Sequence, residues 1–393
     1  MDHDIVLQIF CGGYKGEAVS FGEVERKLTS VLPRLPVRRV IMGWNPNREL
    51  YEKTAAFLAK RNIECYLWLS VFSETCVMRD LTSLVDINGR EIKREEDHEG
   101  EDFSFSCPCD RQNIGKILDI FESEFASIPF NGVFLDKIRY PSFANGYGPG
   151  QGYAGVFSCF CPSCLETYKK ENFDITLLKN ALARPQNYPA PLSIREYRGN
   201  GEYVFEEEAL ASFFSQKSRV ISESLKLICR YFRDKGLGIG LDVFAPFLSP
   251  FVGQDLRFLS GLCDFIKPMM YRVTQAPAGM PFETDALLRE TNCSDSQSTE
   301  FYRLLGMNPA KNPFDLDFAS RDLAGMIASS SCPVYAGMEI NKVPILAETS
   351  PGYVAETMKA YSKTGVKGFA LSWNILNAPE ENIIAAVETI NTL

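Results

Sequence analysis

Histidine is nearly missing from this chain: His3 and His98 are the only two in 393 residues. Both stand far from the strand ends expected to carry chemistry, which argues against serine-histidine or cysteine-histidine nucleophilic catalysis. Paired carboxylates become the default acid and base. No apolar run approaches the roughly 18 residues that a membrane span needs. No dense Lys/Arg block occurs either, and 41 basic against 50 acidic residues leave a formal net charge of -9. The phosphate-neutralising patch of a nucleic-acid binder is therefore not evident, and neither nucleic acid nor membrane is an expected partner. The start Met1-Asp2-His3-Asp4 lacks a basic region followed by an apolar one, so the expected setting is cytoplasmic, or secreted with a signal peptide already removed.

What the chain does have is apolar residue in quantity, 45% against 23% charged, enough for a sizeable core. Strand and helix patterns alternate along it. Strand-length apolar runs occupy residues 4–10, 37–44, 63–72, 132–136, 237–247, 263–273, 333–340 and 366–373. Helical patterns lie between them at 21–35, 49–61, 111–126, 206–235, 254–262, 283–305, 317–329 and 353–363, and 379–392 closes the chain. Eight such units, with no Gly-rich dinucleotide fingerprint after the first strand, predict a (β/α)8 TIM barrel spanning residues 1–393. Long loop insertions are expected after strands three and four. The first runs from Cys76 to Cys109 and includes the charged stretch Lys93–Asp97; the second covers residues 142–203.

In such a barrel the active site forms where the strands end. Trp44 and Asn45 follow the second strand, Glu74 the third, Asp136, Arg139 and Tyr140 the fourth, and Asp242 stands near the end of the fifth. Tyr271 and Arg272 follow the sixth, Glu339 and Asn341 the seventh, Trp373 and Asn374 the eighth. Carboxylates and aromatics thus converge on one rim. Aromatic faces stack on the C–H faces of sugars, while acids, asparagine and arginine fix hydroxyl groups. Hydrolysing a glycosidic bond needs one carboxylic acid to protonate the leaving oxygen and one carboxylate to attack the anomeric carbon or activate water. For Trp44, Tyr271 and Trp373 the competing reading is ordinary packing at the barrel top.

The centre of this pattern is Gly132-Val133-Phe134-Leu135-Asp136-Lys137-Ile138-Arg139-Tyr140-Pro141, an apolar strand that ends in an acid and runs into a proline-stopped loop. Asp136 is the first candidate for chemistry, against a framework ion pair with Arg139 or Lys137. The run resembles the hydrophobic-D-x-x-R-[YF]-P strand-four motif of a group of poorly characterised glycosidase-like TIM-barrel families, distant relatives of the α-amylase and α-galactosidase type enzymes. Asp242-Val243-Phe244, Gly253-Gln254-Asp255 and the Asp264–Tyr271 segment resemble further motifs of that group in the same order, so the likeness covers roughly positions 130–275. The resemblance implies a retaining glycoside hydrolase with Asp136 as nucleophile and Arg139 orienting it. Its proton donor would be Glu339 or Asp242, with Glu339 slightly preferred; the roles of Asp136 and Glu339 could also be exchanged. A carbohydrate-binding barrel without turnover, and a lyase or aldolase, are the rival classes. The last is weakened because Lys137 and Lys267, the lysines nearest strand ends, lie mid-motif.

Twelve cysteines form two classes. Cys11, Cys65, Cys76, Cys229, Cys263, Cys293 and Cys332 are scattered and read as small buried hydrophobes. Cys107, Cys109, Cys159, Cys161 and Cys164 cluster. The two-residue spacing of Cys161 and Cys164 lets both thiolates hold one structural zinc, completed by Cys107 and Cys109, with Cys159 as the alternative ligand. A disulfide or free thiols are the competing readings. No organic cofactor is expected.

Overall fold

The structure is a computed structural model that describes residues 3–12, 19–43, 45, 47–73, 81–92, 105–144, 157–183, 188–308 and 313–393. Eight parallel strands close into a barrel: β1 (Asp4–Phe10), β2 (Val37–Gly43), β3 (Glu64–Ser70), β4 (Gly132–Asp136), β5 (Gly238–Phe244), β6 (Phe265–Met269), β7 (Tyr335–Glu339) and β8 (Gly368–Ser372). Each strand pairs with its sequence neighbour among the eight, and β8 returns to β1. The expected TIM barrel is the observed fold. Among the described residues no helix is long and apolar enough to cross a membrane.

The strands read as continuous apolar runs because both faces are covered. In β1, Ile5, Leu7 and Ile9 face the surrounding helices, while Val6 joins an inner cluster of Ile41, Tyr66, Trp68, Phe134, Phe265, Tyr335 and Ala370. Burying each large ring of that cluster contributes about 1.5–3 kcal/mol. Gly240 makes the space: a Cβ there would meet Phe265 at 2.2 Å and Phe134 at 2.7 Å. At the N-terminal end the Arg39 guanidinium lies 4.1 Å from the Phe265 ring centroid and is bonded to Glu64 at 2.9 Å. Aromatics therefore plug the lower barrel, and polar side chains are left for the upper end.

Helix starts follow local chemistry. Ser20 and Glu23 form a capping box before the helix Phe21–Val31, and Asn47, Asp110, Asp174, Asp255, Asp315 and Ser350 accept from the first-turn amides of their helices. Two expectations change. The pattern at 283–305 is two helices, Met280–Glu290 and Asp295–Leu304, divided where Asn292 turns to φ 51 and Ser294 caps the second. The helix expected over 111–126 is α-helical to Ile120 and ends in a π-turn, Phe121–Phe125.

The insertion after β4 has structure of its own: helices Pro162–Lys170 and Ile175–Leu182, and an antiparallel hairpin of Ile194–Tyr197 with Tyr203–Phe205. Phe157, Phe160 and Phe173 pack on Phe213 of the long helix Glu208–Asp234. This shares one apolar cluster with the outer face of the barrel.

Candidate active site

Register places the site residues. Leu135 pairs with Leu241 across β4 and β5, so Asp136 and Asp242 come next at one level on neighbouring strands, which lie about 4.8 Å apart in a sheet. Asp242 pairs with Lys267 on β6. Each of the three stands two residues beyond an interior position, Phe134, Gly240 or Phe265, so all share the inward face. Gln8 and Ser372, hydrogen-bonded to each other, extend that polar level on β1 and β8.

Asp136 is held by N–H donors on both oxygens. Trp68 Nε1 donates to Oδ2 at 3.0 Å, and the Lys137 amide to Oδ1 at 2.5 Å. That is the pattern of a carboxylate acting only as acceptor. Lys137 has φ 50, a left-handed conformation unusual for a residue with a side chain, at the point where the strand turns into its loop. The amides of Val71 and Phe72 bond to the carbonyls of Asp136 and Lys137 at 2.9 and 3.1 Å, knitting the loops after β3 and β4 together.

Asp242 has a different setting. Lys267 Nζ donates to its Oδ2 at 3.0 Å and to the Tyr271 hydroxyl at 2.7 Å, while Oδ1 has no hydrogen-bond partner among the described residues. Burial pushes the Asp242 carboxyl up to about 7, against the pull of Lys267 and with a further push from Asp136. Burial drags Lys267 down, but Asp242 and Tyr271 more than offset it, and the ammonium is held above its ordinary value. Gly337 admits the lysine: a Cβ there would stand 2.5 Å from Lys267 Cε.

Glu339 is occupied elsewhere. It is fully buried and accepts from Val273 N at 3.0 Å, Thr274 Oγ1 at 3.1 Å and the Tyr353 hydroxyl at 2.5 Å. Burial raises its pKa against these donors. It ties the loop after β6 to the helix Pro351–Ser362. Arg139 is also buried, stacked 4.5 Å from Phe244 and 4.8 Å from Phe105, with its guanidinium donating to Tyr140 O at 3.0 Å. Burial lowers its pKa, opposed by Glu283, Asp136 and Asp242. Tyr140 points away from the rim, fully buried with Lys217 Nζ 4.9 Å from its ring.

The remaining rim residues divide. Tyr271 and Trp373 meet edge to face at 6.3 Å, with Trp373 half-buried. Asn45 accepts from Asn47 N at 2.8 Å within its turn. Asn374 accepts from Leu376 N at 3.2 Å, and Asn341 accepts from Trp373 N and Asn374 N at 2.7 and 3.0 Å, so both asparagines shape backbone. Arg272 bonds Thr357 Oγ1 at 2.9 Å. Trp44, Glu74, Cys76 and the stretch Lys93–Asp97 lie outside the described residues.

Sequence reasoning set Lys267 aside and missed Trp68 and Glu283. The alternation of Phe265, Lys267 and Met269 puts Lys267 on one face with Phe265, a signal that could have found it. Nothing local connects Trp68 or Glu283 to the motif, because they meet it only through cross-strand register and the packing of the helix Met280–Glu290.

In the cysteine cluster Cys107, Cys159, Cys161 and Cys164 bring their Sγ atoms within 4.8 Å of one another, all buried. Cys107 Sγ lies 3.5 Å from Cys164 and 3.4 Å from Cys161. Four sulfurs at about 2.3 Å around a tetrahedral zinc would stand about 3.8 Å apart, so the set fits such an ion. Cys109, expected as the fourth ligand, instead lies 3.3 Å from Thr167 Oγ1, and Cys159 takes its place. The reason is the backbone: Val85 N and Cys161 N both donate to Cys159 Sγ, at 3.3 and 3.4 Å, and turn it inward. All the described cysteines are free thiols in this structure.

No protein-family model matches the sequence, and no curated protein matches it. Solved structures do resemble the chain. The PgaB (BpsB) glycoside hydrolase domain of Bordetella bronchiseptica aligns with a TM-score of 0.55 at 13% identity over 98% of each chain. The α-L-fucosidase isoenzyme 2 of Paenibacillus thiaminolyticus aligns with a TM-score of 0.50 at 10% identity, over all of this chain and 49% of that one. At such identities the likeness is one of fold.

Proposed function

We propose that this chain is a retaining glycoside hydrolase acting on an O-glycosidic bond of an oligo- or polysaccharide, with Asp136 as nucleophile and Asp242 as acid/base. The observation that carries the reading is the adjacency of two unlike carboxyl groups: one capped by N–H donors, the other pushed up to about 7 by burial. Environments that separate two carboxyl groups in this way assign an acid and a nucleophile. Asp242 donates its proton to the leaving oxygen as an Asp136 oxygen bonds to the anomeric carbon, and then takes a proton from the water that releases the sugar. Neighbouring strands fit the roughly 5–5.5 Å between carboxyls in retaining enzymes better than the 6.5–9.5 Å of inverting ones.

The preference for Glu339 gives way to Asp242 because three donors hold Glu339 within the framework. Tyr271 and Trp373 offer the aromatic edge of the sugar site, and Arg139 adds buried positive charge near Asp136. For the cysteine cluster we propose one structural zinc held by Cys107, Cys159, Cys161 and Cys164; four thiolates leave no open position for catalysis.

The test is turnover of a panel of aryl glycosides and oligosaccharides by wild type, Asp136→Asn, Asp242→Asn and Glu339→Gln, with folding confirmed for each. Cleavage lost in the first two variants, together with a 2-deoxy-2-fluoro glycoside trapped on Asp136 by mass, supports the reading. A sugar that binds to wild type without turnover would make this a binding barrel.

A further inference from the structure

The seam between β6 and β7 is the thinnest in the barrel. The other neighbouring pairs of strands show four to six paired residues each, with one register shift between β1 and β2. Here the ladder is Met269↔Gly337, with one bridge at Ile266↔Val334. The cause is in the sequence. Ile266 N bonds Pro333 O and Met270 N bonds Gly337 O, both at 3.0 Å, and residue 268, which should donate between them, is a proline without an N–H. Lys267 and Glu339 both belong to strands of this seam, so its integrity bears on the rim above.

At the N-terminal mouth of the same seam lie Cys263 and Cys332, their Sγ atoms 3.6 Å apart. Cys263 stands two residues before β6 and Cys332 three before β7, at the opposite end of the barrel from Asp136 and Asp242. Neither belongs to the four-thiol cluster. Both turns are held in place: Ser331 N donates to Ser260 Oγ at 3.0 Å, and Ser330 Oγ donates to Cys332 O at 2.9 Å. Cys332 is half-buried and reachable, Cys263 buried behind it. The contact between the two thiols also holds the Cys332 thiol below its ordinary pKa, against burial. An accessible thiol with a second thiol at its back is the arrangement of a redox-active pair.

We infer that Cys263 and Cys332 form a reversible disulfide that staples β6 to β7 where Pro268 leaves the ladder incomplete. With a peroxide as oxidant, the Cys332 thiolate attacks an oxygen, the O–O bond breaks, and hydroxide leaves, giving a sulfenic acid. Cys263 then loses its proton and attacks the Cys332 sulfur, the S–O bond breaks, and water departs. Two thiols lose two electrons, and one peroxide becomes two waters. The sulfurs close from 3.6 Å to a bond of about 2.05 Å.

The experiment is a non-reducing peptide map of the wild-type protein after mild hydrogen peroxide, with thermal melting of the same sample. Cys332→Ala treated alike serves as reference, so that damage to the other thiols cancels. The expected map shows a Cys263–Cys332 cross-linked peptide, two hydrogens lighter and reversed by dithiothreitol. The expected melting temperature rises by about 5 °C in wild type over its reduced form, and not in the variant. Reduced or over-oxidised Cys263 and Cys332 peptides overturn the disulfide. A cross-link formed with no rise overturns the staple.

Discussion

Lys267 Nζ stands 3.0 Å from Asp242 Oδ2, and the two side chains are 1% and 2% exposed. A buried pair of this kind adds little net stability, but removing one partner strands the other. Lys267→Met should lower unfolding stability by about 3–5 kcal/mol at pH 8, and by less at pH 5, where Asp242 carries its proton. Asp242→Asn/Lys267→Met should recover part of that loss. Urea titrations of Lys267→Met, Asp242→Asn and the double mutant at both pH values check it, and an additive double mutant would mean that the pair is not coupled.

The Asp242 carboxyl also sets a pH dependence. Its folded value is raised from 3.8 to about 7, so between about pH 4 and 7 the native state holds a proton that the unfolded chain has released. Stability should fall as pH rises through that window and level off above it. If Asp242 is the proton donor, kcat/KM should show an alkaline limb near pH 7. Lys267→Arg should leave the limb close to its place. Lys267→Met, which removes the cation favouring the anion, should move it to higher pH.

Asp136→Asn and Asp242→Asn should each cost at least about 10³-fold in kcat even in fully folded protein; each also lowers stability, because the first sets an amide nitrogen against an N–H donor and the second leaves Lys267 buried without its partner. Glu339→Gln should differ in its rates. It replaces one acceptor oxygen among three donors with an amide, so the expected loss is in stability, by about 1–3 kcal/mol, with any residual folded enzyme still turning over. Initial rates beside melting curves separate the two patterns.

The barrel was legible because buried parallel strands write themselves as apolar runs, and the acids at the end of β4 and near the end of β5 interrupt those runs at the level where the barrel opens. What the sequence could not display was the partner of each acid. Glu339 looks as free as Asp242 in one dimension; its three donors come from Val273, Thr274 and Tyr353, brought together by a loop and a helix. Trp68 reaches Asp136 across the barrel wall, a contact fixed by register between strands that are distant in sequence. The choice between Cys159 and Cys109 turned on two backbone amides, one of them at Val85. Local pattern finds elements and their ends, and tertiary packing decides which polar groups remain unclaimed.

The cysteine cluster gives the last prediction. Purified protein should contain about one zinc per chain, measured by elemental analysis. Cys159→Ser should lose it and Cys109→Ser retain it, since Cys159 Sγ and not Cys109 Sγ belongs to the four-sulfur set. The site joins the turn at Cys107 to the insertion at Cys159–Cys164, and Tyr140, which follows the candidate nucleophile by four residues, is packed beside it under Lys217. Chelation should therefore lower the melting temperature and loosen the loop after β4, seen as faster amide exchange at Ile138–Ser142 than at β1. Loss of metal from Cys109→Ser but not from Cys159→Ser would reassign the fourth ligand. A protein that carries no zinc and melts alike with and without chelator would return the cluster to free thiols.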